Sequence, residues 1–281
     1  MAMKNILKIM LMMITIFTIA GSAVYAAEIP VSDQDQLITS NDWTEISNLQ
    51  DEMKKEEPDA TIDYDKALKV YVDCNLIKLQ TADTKKLTSA LESANYVWVI
   101  PFKMEKTYGM FTVAKGLPLR EEAKSVLTKA EQEEVKNHAG KWMITEIAEH
   151  TVEPYYDILL EKREALSDCT RVVLVGSQPG MRQPVALGMD DETARIWISL
   201  GYQYPVMEKI PETQNVESGV YSFESVAEIS DTYIEDSEVS TGVGVQSRSS
   251  MKYVAGIGIV LIGGILILSV LKKKKIRIKF F

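Results

Sequence analysis

The sequence predicts an α+β fold: an extracytoplasmic domain with a mostly antiparallel sheet and packed helices, followed by one C-terminal transmembrane helix. Three observations lead there. An uncharged apolar run from Tyr253 to Leu271 stops directly before Lys272-Lys273-Lys274-Lys275. The N-terminus reads as a secretory leader. Between the two, short β-branched stretches in hairpin pairs alternate with segments of helical period, the pattern of α+β layering.

The C-terminal run is long enough to span, since about 20 apolar residues cross the ~30 Å hydrocarbon layer. Its Gly256, Gly258, Gly263 and Gly264 suit a membrane helix better than a water-soluble one. The lysines that follow place the tail 272–281 in the cytoplasm by the positive-inside rule. No Leu-Pro-x-Thr-Gly sorting motif precedes the run; Glu238-Val239-Ser240-Thr241-Gly242 lacks the Leu and Pro. At the other end, Lys4 and Lys8 precede the apolar stretch Ile9 to Ala20 and the small residues up to Ala26. This order predicts a signal peptide over 1–26, with cleavage after Ala26. The mature chain is then single-pass in the cell membrane, its N-terminal domain (27–211) outside and joined to the membrane by a stalk (212–252).

Along the domain, Asp42 and Glu45 have capping-box spacing ahead of Trp43, Ile46, Leu49 and Met53, which predicts one amphipathic helix ended by Pro58. Leu68, Val70 and Val72 alternate with Lys69, Tyr71 and Asp73, a strand. Asp83 or Thr84 caps a helix carrying Leu87, Ala90, Leu91 and Ala94. Tyr96 to Phe102 and Gly109 to Ala114 form a hairpin, with Pro101 at an edge. Arg120 to His138 reads as a long helix with Ala123, Val126, Leu127, Ala130 and Val135 on its inner side, stopped by Gly140. Then come a strand from Trp142 to Ala148, a helix from Pro154 to Leu166 and a buried strand from Arg171 to Gly176. A last hairpin, Pro184 to Met189 with Ala194 to Leu200, turns at Asp190-Asp191-Glu192-Thr193. The strand pairs starting at Tyr96 and Arg171 each find a partner about 13 residues on, which suggests a diverged β-α-β-β duplication.

Charge separates the segments. Of 31 basic and 40 acidic residues, nine basic and no acidic ones lie in 1–27 and 251–281, which leaves 28–250 at a net −18. Such a surface argues against nucleic acid as a partner. No Lys or Arg occurs between Lys209 and Arg248, so 212–252 reads as an acidic, Ser/Glu-rich stalk, with Val220, Tyr221, Phe223, Val226 and Ile229 able to dock its first half on the domain. Cys74 and Cys169 are the only cysteines, and an extracytoplasmic compartment permits a disulfide between them. That bridge would close a loop of about 95 residues, worth up to about 4.7 kcal/mol in the chain-entropy model. The alternative is two buried thiols.

Residues for chemistry are sparse. The two histidines, His138 and His150, sit in no zinc motif; His150 with Glu146 and Glu153 is the one combination to weigh, and Glu146 lies on a strand that alternates faces with its neighbours, so the segment reads as a surface strand end capped by polar residues. Gly176-Ser177-Gln178-Pro179-Gly180 is neither a Walker loop nor a nucleophile elbow and reads as a turn. Asp190-Asp191-Glu192 lacks the spaced acids of a calcium loop. Trp98, Trp142 and Trp197 fall on strands, with Tyr202 and Tyr204 after the last, and read as core. The sequence therefore assigns no catalytic, cofactor-binding or metal-binding residue. It points to a membrane-anchored extracytoplasmic binding, sensing or interaction module, whose partners are the membrane and a protein or cell-envelope ligand. The leader's style and the absence of any Asn-x-Ser/Thr sequon suggest a bacterial cell surface. Two other readings are a cell-envelope hydrolase working with paired carboxylates, and an accessory subunit of a membrane transport or secretion complex.

Overall fold

The computed structural model describes residues 29–150, 153–176, 178, 181, 183–201, 207–210 and 215–230. The expected signal peptide, the span 253–271 and the tail 272–281 lie outside them. Among the described residues no helix is long and apolar enough to cross a membrane. The fold is α+β with a mostly antiparallel sheet.

The strands are β1 (Thr61–Ile62), β2 (Leu68–Tyr71), β3 (Tyr96–Lys103), β4 (Tyr108–Lys115), β5 (Trp142–His150), β6 (Arg171–Val175), β7 (Val185–Met189), β8 (Ala194–Ser199), β9 (Asn215–Glu217) and β10 (Val220–Ser222). They form one sheet in the order β5-β4-β3-β2-β6-β7-β8-β10-β9, with β1 on β3. Only β2 and β6 pair in parallel, Val70 with Leu174 and Tyr71 with Val175. From this central pair the sheet meanders outward both ways through antiparallel neighbours. The helices are α1 (Trp43–Ser47), α2 (Gln50–Glu56), α3 (Thr84–Glu92), α4 (Glu121–Lys124), α5 (Lys129–His138), α6 (Tyr155–Glu161) and α7 (223–230).

Alternate strand residues face opposite sides, so one sheet makes more than one core. On one face α3 and α7 cover Val173, Val175, Val185, Leu187 and Trp197. Beside them on the same face, α1 and α2 cover Trp98, Ile100, Phe102, Phe111, Val113 and Ile144. On the opposite face α6 covers Val70, Val172, Leu174, Ala186 and Ile198. Apolar residues on both sides of β3 and β6 account for their near-continuous hydrophobic runs.

The chain ahead of α1 completes the sheet. Val31 bridges Val172 of β6 in parallel, and Gln36 bridges Leu68 of β2 in antiparallel. Val172 N–H donates to Pro30 O at 2.7 Å and Leu37 N–H to Ala67 O at 3.1 Å. These partners lie on the facing edges of β2 and β6, whose own pairing begins only at Val70 and Leu174. Residues 29–37 are thus a strap wedged between the splayed starts of two parallel strands. A 3₁₀ turn over Asp33–Asp35 reverses the strap inside the slot.

Several expectations change. The single helix after Asp42 is broken into α1 and α2, and Asp42 makes no side-chain cap. The long helix Arg120–His138 is also broken, at Ser125–Leu127, and α5 restarts on a full Thr128–Glu131 capping box. No residue of α5 is buried and Val126 is 79% exposed, so this segment projects from the β4–β5 connection instead of packing its apolar side inward. Residues 215–230, placed in the first half of the stalk with an apolar cluster able to dock on the domain, add two strands and a helix to it. Tyr221 pairs with Trp197 across β10 and β8, and Phe223 stacks on Trp197 at 5.6 Å. Apolar burial at Val220, Phe223 and Val226 outweighs the acidic composition that suggested an extended stalk.

Candidate functional site

The densest polar constellation lies where the two cores of one face meet, and Asp35 is its centre. The strap's turn carries Asp35 into the sheet, leaving it 2% exposed. Its Oδ1 accepts from the Tyr71 hydroxyl at 2.7 Å and lies 3.7 Å from Lys69 Nζ. Its Oδ2 accepts from Arg171 Nη2 at 3.0 Å and from Ser32 Oγ at 2.6 Å. Lys69 and Tyr71 come from β2 and Arg171 from β6, so the carboxylate ties together the two strands that the strap separates. Next to it, Asp42 Oδ2 accepts from Tyr96 OH at 2.8 Å and Trp98 Nε1 at 3.0 Å. Asp42 has helical backbone angles, φ −84° and ψ −13°, instead of the extended ones of an N-cap, and its side chain turns to these rings and not to α1.

Lys69 Nζ lies 4.6 Å from the Tyr96 ring centre, 5.2 Å from Trp98 and 5.8 Å from Tyr71. Rings at this range attract a cation through their electron-rich faces. Burial nevertheless dominates and holds the Lys69 pKa below its ordinary value, against the pull of Asp35 and Asp42. Burial, reinforced by the Asp35 charge, raises the Tyr71 phenol; burial with the Asp42 hydrogen bond raises Tyr96. Both phenols therefore stay protonated and act as donors. Among the described residues Arg171 Nε has no hydrogen-bond partner, so the guanidinium is held by one nitrogen.

A separate cleft of about 310 Å³ opens at the end of β2, between the chain 73–79 and the last turn of α3. Leu76, Leu79, Ala90 and Ala94 give it an apolar lining, while Asp73, Asn75, Ser93 and Cys74 supply polar atoms. Asp73 adopts φ 55°, a left-handed conformation, and its Oδ1 accepts from Asn95 N–H at 3.0 Å. Gln178 clamps the floor: its Oε1 accepts from Leu76 N–H at 3.0 Å and its Nε2 donates to Cys74 O and Gly176 O. Burial pushes the Cys74 thiol up to about 11, so it is a neutral thiol at physiological pH.

The disulfide permitted by the sequence is absent. Cys74 and Cys169 are both free. Cys74 packs on the α3 side, while Cys169 joins the core under α6 on the opposite face. The sheet itself stands between them, which the sequence could not show. Asp190-Asp191-Glu192 is occupied internally. Asp190 Oδ1 accepts from Glu192 N–H and Thr193 N–H, Oδ2 pairs with Arg195, and Asp191 accepts from Thr170. These backbone bonds, first that of Thr193, hold the Asp190 carboxyl below its ordinary range. Glu146 reaches Thr112 at 3.4 Å on the exposed outer part of the sheet. Trp98, Trp142 and Trp197 are buried as expected, whereas Tyr202 and Tyr204 lie outside the described residues. Among the described residues no three His, Cys, Asp or Glu side chains converge to hold a metal ion. The Asp35 cluster was missed because alternation places Lys69 on an outer face, and nothing local in the sequence links Asp35 to Lys69 or Arg171. No known protein family, curated protein or solved structure matches this chain.

Proposed function

We propose that the chain is a membrane-anchored extracytoplasmic binding module, displayed on a bacterial surface with its C-terminal helix 253–271 in the membrane. The cleft beside Cys74 carries the reading. Its size is at the lower end of small-molecule sites, and an apolar floor under a rim of a few polar atoms is how such sites hold one small group. The protonated thiol, with no His among the lining residues and only the Asp73 carboxylate beside it, favours holding a ligand over attacking one. The β-α-β-β duplication suggested by the sequence would match β2-α3-β3-β4 with β5-α6-β6-β7, but β2 lies beside β3 whereas β5 lies beside β4 and not beside β6.

The test is an NMR titration of the protein with muropeptides and with short synthetic peptides. Binding should move the amide signals of Leu79, Ala90 and Ala94, and Ala90→Trp should abolish the shifts. Release of cleaved glycan or peptide during the titration would favour a hydrolase instead. Shifts confined to other surfaces would remove the cleft from consideration. Anchorage is checked separately, by whether protease added outside intact cells digests the domain and leaves a fragment of the span and tail.

A further inference from the structure

The strap and its slot form a strand-binding site that the chain fills with its own N-terminal segment. The backbone pairing and the ion pairs that seat residues 29–37 are made with residues remote in sequence, on or next to β2 and β6, while Thr39 Oγ1 donates to Asp33 O and Leu37 packs among Ile46 and Met53, closer to the strap in sequence. The segment is joined to the rest of the domain only through residues 38–42, which enter α1. Its chemistry is specific. Ile29, Val31 and Leu37 are buried, and between them one carboxylate meets Lys69 and Arg171. An empty slot would leave two cations in a largely apolar wall, together with unpaired groups at Val172 N–H and Ala67 O. Such a slot rejects purely apolar strands and strands with the wrong charge. It selects a segment that reverses in a tight turn, with apolar residues on either side and a buried acid at the end of the turn, which is what the strap of a second copy presents.

We propose that the slot between β2 and β6 accepts residues 29–37 from a second copy of this chain, so that two copies exchange straps. The exchanged seat contains the same contacts as the intramolecular one and costs no new surface. Its balance is set by concentration and by the conformation of residues 38–42. The acidic ectodomains repel one another, so the charge complementarity lies inside the slot and not on the domain surface. The proposal is independent of what the cleft beside Cys74 binds.

The test uses two differently tagged full-length copies, coexpressed and oxidised in place. One copy carries Gln36→Cys and the other Leu68→Cys, positions that bridge directly in the folded chain. A disulfide-linked heterodimer carrying both tags, absent when either copy is expressed alone, is the expected result. A single chain carrying both substitutions reports whether the geometry allows the bond. If that chain closes its internal disulfide while the mixed copies stay monomeric, exchange does not occur and the proposal fails. A further arm adds Asp35→Asn to the Gln36→Cys copy. The heterodimer yield should fall severalfold; an unchanged yield would overturn the role given to the carboxylate in choosing the strand.

Discussion

Arg171 Nη2 donates to Asp35 Oδ2 at 3.0 Å across 136 residues of sequence. The bond joins the 3₁₀ turn over Asp33–Asp35 to the central parallel strand pair. Asp35 also faces Lys69, so removing the single acid leaves two buried cations, whereas removing either cation leaves the acid paired. Asp35→Ala should therefore destabilise the fold by about 3–5 kcal/mol, the usual cost of breaking a buried ion pair. Lys69→Met should change stability by about 1 kcal/mol or less, in either direction. Urea unfolding of the full chain in detergent, followed by tryptophan fluorescence, measures both; equal losses would contradict this arrangement.

The lowered pKa of Lys69 gives stability a particular pH dependence. A base whose pKa falls on folding costs stability while it is charged in both states. That cost is fully present below the folded pKa and disappears as pH rises towards the ordinary value of 10.5. As pH rises towards 10.5 the native chain should gain stability relative to Lys69→Met. A carbon-detected titration of the lysine ε-methylenes should show one, Lys69, releasing its proton ahead of the rest, and earlier still in Asp35→Asn.

Both thiols should be present and slow to react. Denatured protein should release two thiol equivalents with or without prior reductant, because Cys74 and Cys169 are free. In the native protein Cys74, which is partly accessible, should be alkylated before Cys169, which is 8% exposed. Burial pushes both up to about 11, so each rate should climb about tenfold per pH unit until that value is approached.

Gly188 marks a tight contact under α6. A methyl group there would lie 2.8 Å from Cys169 Sγ and 2.9 Å from Ile196 Cγ1. Gly188→Ala should cost about 1–3 kcal/mol through overpacking. Adding Cys169→Ala should recover part of the loss, and a double-mutant cycle by thermal denaturation would show the coupling. Strict additivity would mean that the two side chains do not compete for this space.

The projecting helix α5 should behave as a local unit. Thr128 Oγ1 accepts from Glu131 N–H at 3.3 Å while the Glu131 side chain accepts from Thr128 N–H at 2.7 Å. Thr128→Ala should weaken the helix by about 1 kcal/mol. Hydrogen exchange should speed up along α5 and leave β3 and β4 unchanged. Acceleration throughout the sheet would show that α5 is part of the cooperative core.

Much of the architecture was legible because it is written locally. The cap at Asp83, whose Oδ1 accepts from Lys86 N–H at 2.9 Å, follows from its place before a helical apolar pattern. The hairpins β3–β4 and β7–β8 follow from paired β-branched runs. The breaks in the two predicted helices did not follow, since apolar spacing continues across Asn48–Leu49 and across Ser125–Leu127 while the backbone does not. The strap was illegible for a different reason. Ile29 to Leu37 looks like a polar lead with scattered apolar residues, and only the parallel pairing of two distant strands gives that pattern a seat. Lys69 misled for the same reason: period-2 alternation sets the face of a residue but not whether that face meets water.

The wedge also sets an order of events. A chain synthesised from its N-terminus presents Asp35 first, β2 next and Arg171 only after most of the domain has followed. Until β6 arrives, the strap has half a seat and its acid lacks one of its two counter-charges. The earliest part of the domain to emerge is therefore among the last to find its place, and the strap must wait, exposed, while the rest of the sheet assembles around the gap it will fill.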